Sequence, residues 1–215
     1  MRDGDGTLLR KLPGRNLSKA DLCVYRLASG ETIALKDFGT RPLLVRQTLG
    51  RMFVRRECRA YSAAAGAPGL VPFLGRRGPF ALATAWVEAA PLSSFPEAED
   101  AVFDRLDTIL SGLHARGVAI ADLHHRDVLV SPEGEVHVVD LAAAYVLGES
   151  PGPIRRSLFA RFAAQDRLAA ARMRARFTGR PEHEALAGVD PGAVRLWGIG
   201  RRIKGAWDVI RGRSR

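Results

Sequence analysis

The length of 215 residues allows one large domain or two small lobes, either of which can bury a hydrophobic core. With 47% hydrophobic and 26% charged residues, the composition is that of a soluble globular protein. No run of eighteen apolar residues occurs, and the amino terminus lacks an apolar core, so we expect neither a membrane span nor a signal peptide. Cys23 and Cys58 have no metal-ligand spacing, so we expect free thiols in a reducing, cytoplasmic compartment.

The net charge of +10 is concentrated in the carboxyl-terminal third. Residues 151–180 contain eight arginines and one acid, and residues 195–215 contain seven basic residues and one acid. Such a distribution suits phosphate-rich partners, namely an anionic glycan, an anionic lipid or nucleic acid. Alternatively, the basic residues serve only solubility and reflect an arginine-rich proteome.

The first ninety residues predict a mostly antiparallel β lobe with one helix, in the order β-β-α-β-β. Alternating apolar and polar residues favour two strands joined by the turn Ser29-Gly30, and an arginine-rich helix ends at the breaker 66–69. We assign residues 1–90 to this lobe. Its predicted elements are a loop or loose strand at 1–20, strands at 21–28 and 31–38, a helix at 43–65, strands at 71–74 and 79–87, and a linker at 88–92.

Residues 91–215 predict a second, mainly helical lobe. Between its first two helices lies a stretch at 113–144, which holds a polar loop followed by two short β-branched runs around the turn 131–134. The predicted helices span 96–114, 154–177 (as one or two helices) and 191–211, and the last has an apolar stripe opposite basic residues. That final helix could either pack on the lobe or lie on an anionic membrane surface.

Lys36 is a single charge within an otherwise apolar strand pattern. Burying an ammonium is costly unless it meets an anion, and the following helix offers Glu57 as its one carboxylate. Together the two side chains could hold the phosphates of a nucleotide. The alternatives are an edge-strand lysine that reaches into solvent, and a Glu57 that pairs with its neighbouring arginines.

Three aspartates in the 113–144 stretch predict a catalytic site. His125-Arg126-Asp127 resembles a kinase HRD triplet, but Pro132 stands where a metal ligand would be needed. Taking Asp122 as the general base instead places Asp127 and Asp140 as oxygen ligands suited to Mg²⁺. Each aspartate alone would be interpreted as a turn or capping residue. The spacing of all three aspartates, after a strand with Lys36 and a helix with Glu57, favours a catalytic site instead.

Adjacent His124 and His125 could suggest zinc. Neighbouring histidines point in different directions, however, and no third ligand is evident, so we interpret both as loop-packing residues.

The chain resembles the lipopolysaccharide kinase family, a small branch of the protein-kinase-like superfamily, over about residues 20 to 180. Ile33-Ala34-Leu35-Lys36 is similar to the lysine strand, and the segment 55–61 resembles the glutamate helix. The segment 113–124 resembles the catalytic loop, Val138–Ala142 the metal-aspartate motif, and Asp166–Phe177 the helix that follows it.

This resemblance implies an α+β, bilobal protein-kinase-like fold that binds ATP and Mg²⁺ in the cleft, with Val87 and Glu88 near the adenine. It also implies phosphorylation of a heptose or Kdo hydroxyl in the lipopolysaccharide core. The chain departs from the family pattern at four places. Residues 13–19 replace a glycine-rich loop, Asp127 replaces an asparagine, Ala121 replaces a glycine, and Asp140-Leu141-Ala142 replaces the usual DFG.

We therefore expect a kinase that acts on a glycolipid or another anionic acceptor at the cytosolic face of an inner membrane. A pseudokinase or nucleotide-binding interaction module is the second reading, and a minimal, atypical serine/threonine protein kinase is the third. Nucleic-acid binding is disfavoured, because the basic residues lack the interleaved aromatic residues of a single-strand platform.

Overall fold

The computed structural model describes residues 6–14, 16 and 19–192. The predicted helix at 191–211 lies outside these residues, apart from its first two positions. The described fold is of the α+β class, as expected. Its strands are β1 Gly6–Leu12, β2 Asp21–Leu27, β3 Thr32–Asp37, β4 Phe73–Arg76, β5 Ala81–Ala85, β6 Ala90–Pro91, β7 Val118–Ala119, β8 Val128–Val130, β9 Val136–Val138 and β10 Tyr145–Val146. Its helices are α1 Leu43–Val45, α2 Arg51–Ala63, α3 Asp100–Ala115, α4 Pro153–Thr178 and α5 Glu182–Ala185.

An antiparallel sheet in the order β1-β2-β3-β5-β4 forms the first part of the molecule. Strand β3 lies in its centre, where Lys36 is opposite Leu22 on β2 and Leu82 on β5. Lys36 is therefore not an edge-strand residue, and the interpretation of a lysine that reaches into solvent from an edge is wrong.

Strand β1 corrects the predicted order of elements. Residues 1–20 were expected to be a loop or loose strand, yet Gly6–Leu12 pairs with β2 along its length, so the order is β-β-β-α-β-β. All seven residues of β1 are exposed. An edge strand with no buried face has no reason to alternate apolar and polar residues, which is why its pattern was weak.

The predicted helix at 43–65 forms as a continuous helical segment over 43–63. It consists of α1, a π-helical turn at Arg46–Gly50 and α2. Gly50 packs directly on Phe38 at the end of β3, since a Cβ there would lie 2.9 Å from the Phe38 Cβ. Helix α2 buries Val54, Glu57 and Tyr61 and leaves its arginines exposed.

The second part of the molecule packs α3 against α4. The predicted linker at 88–92 is wrong in part, because Ala90 and Pro91 form β6 and pair with Val130 and Leu129 of β8. Two residues on each side give too short a pattern to predict. Ile154–Phe177, expected as one or two helices, is the single helix α4.

One apolar cluster joins both parts of the molecule. It combines Ala60 and Tyr61 of α2, and Ala64 just after it, with Leu106 and Leu110 of α3 and with the buried faces of β8 and β9. Arg116, at the end of α3, donates hydrogen bonds to the carbonyls of Ala65 and Gly66 just after α2. Across the described residues, no helix combines the length and apolar character needed to cross a bilayer.

Candidate functional site

Lys36 lies between two carboxylates that come from distant parts of the chain. Its Nζ is 2.8 Å from Oε2 of Glu57 and 2.8 Å from Oδ1 of Asp140. Strand β3 presents the lysine, α2 presents the glutamate, and Asp140 lies two residues after the end of β9. The structure thus brings together three of the predicted site residues, and Glu57 pairs with Lys36 rather than with its neighbouring arginines.

Burial and charge set the protonation of this cluster. Burial lowers the pKa of Lys36, but the two carboxylates outweigh it and the net pKa is raised. Burial raises the pKa of Asp140, but the Lys36 ammonium outweighs it and the net pKa is lowered. Burial raises the pKa of Glu57, whose side chain is only 2% exposed. Lys36 is therefore a cation, and the more accessible Asp140 is its firmly ionised partner.

A cavity of about 470 Å³ leads to this cluster. Its walls are apolar at Leu22 and Ala34 in the sheet and at Leu129 and Val139 in the second part of the molecule. Lys36, Glu57 and Asp140 line its polar end. A largely apolar cavity with a few charged groups at one end is what a planar base joined to a phosphate chain requires.

The two residues expected near the adenine, Val87 and Glu88, differ in position. Val87 lines the large cavity, whereas Glu88 is not among its lining residues. Instead, Oε1 of Glu88 accepts a hydrogen bond of 2.9 Å from Nε1 of Trp86. Of the two, only Val87 is therefore placed to contact a molecule in the cavity.

Asp122 and Asp127 line a second cavity, of about 280 Å³, together with Asp140. Lys19, Arg126, Asp127 and Asp140 line both cavities, so the two spaces adjoin. Asp122 has 71% of its side chain exposed within this second space, where it can reach a bound hydroxyl. His124 lies 3.9 Å from Asp122 and also lines the space, in contrast to its expected role as a packing residue.

Asp127 lies on the boundary between the two cavities. Burial, reinforced by the neighbouring Asp140 carboxylate, raises the pKa of Asp127 to about 7. Its backbone N–H donates a hydrogen bond to the carbonyl of His124, and its carbonyl accepts one from Val139, the residue before Asp140. These bonds hold Asp127 and Asp140 in a fixed relation.

The backbone at the site is strained in two places. Among the described non-glycine residues, Ala121 (φ 67°) and Asp140 (φ 64°) have left-handed conformations. Such residues cost about 1–2 kcal/mol each and concentrate at functional sites. At Ala121, the strain accounts for the glycine that the family resemblance led us to expect.

Asp166 anchors the loop that carries Asp122. This residue of α4 is 1% exposed, and its carboxylate accepts hydrogen bonds of 2.8 Å from the backbone N–H groups of Ile120 and Ala121. Nε2 of His114 lies 2.9 Å from the same carboxylate. Sequence reasoning missed this function of Asp166, although it is the only acid among eight arginines in 151–180. Glu57 was predicted from the same kind of signal, a single acid in an arginine-rich helix.

Lys19 was also missed as a site residue. It lies in the β1–β2 loop, which is fastened by the buried Asp21: the Asp21 carboxylate accepts hydrogen bonds from Gly14 N–H and Thr40 and forms an ion pair with Arg41. A side chain at Gly14 would collide with the carbonyl oxygens of Lys19 and Ala20. The contacts of Asp21 thus fix Gly14 and Arg41 beside Lys19.

The donor set at Asp127 and Asp140 fits Mg²⁺. Within the described residues no three His, Cys, Asp or Glu side chains form a metal cluster. Mg²⁺ does not need one, because it is usually held by one or two carboxylates together with waters and substrate phosphates. Lys36, Lys19 and Arg126 face four carboxylates around the two cavities, so a divalent cation would offset the excess negative charge.

Compared with models of known families and with curated proteins, the chain matches none of them.

Proposed function

We propose that this chain is a small ATP-dependent kinase that transfers the γ-phosphate to a sugar hydroxyl of a lipopolysaccharide core or related glycolipid. The observation that carries the proposal is the meeting of Lys36, Glu57 and Asp140 at the polar end of an apolar cavity. In this proposal residues 1–90 form the nucleotide-binding lobe and residues 91–215 the catalytic lobe of a bilobal kinase-like fold. The protein is expected in the cytoplasm, peripheral to an inner membrane.

ATP would lie in the large cavity with its base against Ala34, Val87 and Leu129. Its phosphates would extend toward Lys36, held in place by Glu57, and toward Lys19. Asp127 and Asp140 would hold Mg²⁺, which supplies charge neutralisation at the phosphate oxygens when bound.

Asp122 is the proposed general base. The acceptor hydroxyl would occupy the smaller cavity, and Asp122 would accept its proton as the oxygen attacks the γ-phosphorus. The bond between that phosphorus and the bridging oxygen breaks, and ADP leaves with the electron pair. Arg126 and Lys19 line the region between the two cavities, where they can stabilise the negative charge of the transferring group.

The test is incubation with γ-labelled ATP and Mg²⁺ over a pool of glycolipid and protein acceptors. Label on glycolipid is expected, and label on protein would instead identify a minimal, atypical serine/threonine kinase. Asp122→Asn and Asp140→Asn should each lower transfer at least about 100-fold. Glu135→Gln, an exposed acid in the same stretch, is the matched control and should leave transfer unchanged. Unchanged transfer in Asp122→Asn would remove it as the base.

One observation favours a second function, that of a pseudokinase or nucleotide-binding module. Asp127 places a further carboxylate beside Asp140, where the related kinases are expected to have an asparagine. A nucleotide that binds without transfer in the parent chain would support this module. Transfer that then appears in Asp127→Asn would assign the defect to that carboxylate.

A further inference from the structure

The surface of α1 and α2 has an unusual charge distribution. Residues 38–80 contain eight arginines and a single acid, Glu57. That acid is buried and bonded to Lys36, so it offsets none of the charge at the surface. This excess lies outside the basic carboxyl-terminal third and belongs wholly to described residues. The arginines are Arg41, Arg46, Arg51, Arg55, Arg56, Arg59, Arg76 and Arg77.

Large apolar side chains are exposed on the same helical segment. Leu43 is 63% exposed, Leu44 is 77% exposed and Met52 is 50% exposed. Single exposed apolar residues are common on protein surfaces, but several on one short segment indicate an interaction. These side chains do not contribute to the described core, because the residues that α2 buries include Val54, Glu57 and Tyr61 instead.

The β4–β5 hairpin extends this basic surface. The guanidinium groups of Arg46 and Arg51 lie 5.6 and 5.5 Å from the centre of the Phe80 ring, just before β5. Arg76 at the end of β4 is close enough to Cys58 of α2 to affect its pKa. The helical segment and the β4–β5 hairpin therefore lie against each other and form one continuous surface.

We propose that this surface docks on an anionic lipid bilayer. We define the arginine–leucine face as Leu43, Leu44, Arg51, Met52, Arg55 and Arg76. A helix that has arginines beside exposed leucines is suited to the bilayer interface, where apolar side chains enter the acyl boundary and guanidinium groups bind lipid phosphates. A nucleic acid would satisfy the arginines but would leave the leucines in water.

The helix that carries part of the arginine–leucine face also contacts residues beside the smaller cavity. Arg56 of α2 donates hydrogen bonds to the carbonyls of Ala143 and Ala144, and Ala143 lines the smaller cavity. The helix that carries Arg51, Met52 and Arg55 of the face therefore also contacts the wall of the smaller cavity, through Arg56. The inference is independent of phosphate transfer and involves none of the carboxyl-terminal residues 193–215.

The experiment is co-sedimentation of the full chain with vesicles, without nucleotide. One set of vesicles is pure phosphatidylcholine, and the other contains about a third phosphatidylglycerol, enough to give a negative surface potential. We expect binding to the anionic vesicles only. Leu44→Ser/Arg55→Glu should weaken this binding at least about tenfold. Leu9→Ser/Arg26→Glu, with the same two changes on the exposed β1–β2 hairpin, is the matched control and should bind like the parent.

Three results would overturn the proposal. Equal loss in both variants would show a nonspecific charge effect, and undiminished binding of Leu44→Ser/Arg55→Glu would assign docking to another surface. Absence of vesicle binding, with capture of an acidic protein or DNA instead, would assign the face to that partner. Circular dichroism confirms that both variants fold. Phosphate transfer to a soluble acceptor, measured alongside, separates failure of the face from failure of the proposed kinase activity.

Discussion

The carboxylate of Asp166 accepts a hydrogen bond from the backbone N–H of Ala121, the residue directly before Asp122, at 2.8 Å. The proposed base is thus positioned from α4, far along the chain. His114 and Ile120 bond to the same buried carboxylate. One buried carboxylate therefore binds three polar groups, and two of them are backbone N–H groups just before Asp122.

Asp166→Ala should destabilise the protein by about 2–4 kcal/mol, because two buried N–H groups lose their acceptor. Urea unfolding of parent and variant measures the change in the free energy of unfolding. Asp104→Ala is the control, since Asp104 is exposed and pairs with Arg174 at the surface. Asp104→Ala should lower the free energy of unfolding by less than about 1 kcal/mol. Equal effects of the two substitutions would contradict the anchoring role.

Ala121→Gly should stabilise the protein by about 0.5–1 kcal/mol. Ala121 has a φ of 67°, which strains an L-residue with a side chain but not glycine. Thermal or urea unfolding measures the gain. The control is Ala119→Gly in β7, a fully buried strand residue, which should instead destabilise. A loss of stability in Ala121→Gly would mean that its methyl group makes contacts that outweigh the strain.

Asp127 should make stability depend on pH in a definite direction. Its pKa in the folded state is about 7, above the value of roughly 3.9 for an unfolded chain. The folded state therefore binds more protons between these values, and stability falls as pH rises from about 4 to about 7. In Asp127→Asn this loss disappears. Between pH 4 and pH 8 the stability of the variant should improve relative to the parent by about 4 kcal/mol, since each unit of pKa difference corresponds to about 1.4 kcal/mol.

Urea unfolding in a chelating buffer, repeated across this pH range, tests the Asp127 prediction without bound metal. Glu135→Gln serves as the control, and its difference from the parent should not vary with pH in this range. A constant difference between Asp127→Asn and the parent would show that Asp127 titrates normally.

Lys19→Ala should raise the KM for ATP about fivefold or more while leaving the free energy of unfolding nearly unchanged. Its side chain is exposed and lines both cavities, where its charge would attract the phosphates. Steady-state kinetics and urea unfolding provide the two measurements. Lys11→Ala on neighbouring β1 removes an equal charge from a residue that pairs with Asp21 instead. Equal changes in KM for the two variants would indicate only a general field effect.

Sequence patterns predicted the longer elements. The existence and approximate bounds of strands β2, β3 and β5 and of helices α2, α3 and α4 were predicted, most clearly for α2 and α3, which each bury one face. Strand β1 has no buried face, and β6, β7 and β10 have two residues each, so they could not show a period. These segments are defined by pairing with distant strands, which no local pattern encodes.

The contact between Lys36 and Glu57 was predicted because each is a single charged residue of its sign in a segment of different character. Lys36 in an apolar strand and Glu57 in a basic helix both met their partner as expected. Asp166 carries an equally strong signal, yet its partners are backbone N–H groups, which have no signature in the sequence. Lys19 and Arg126 gave no signal, because an exposed cation is ordinary until the fold places it beside a cavity.

The shared apolar cluster decides the order in which the chain can become native. During synthesis the five-stranded sheet can pair before the later residues emerge from the ribosome. Ala60 and Tyr61 of α2, together with Ala64 at its end, must then remain in water until α3 covers them. The nascent first half is therefore prone to aggregation or to capture by chaperones. For the same reason, a nick between β6 and α3 would leave two fragments whose apolar faces are covered only when the fragments associate.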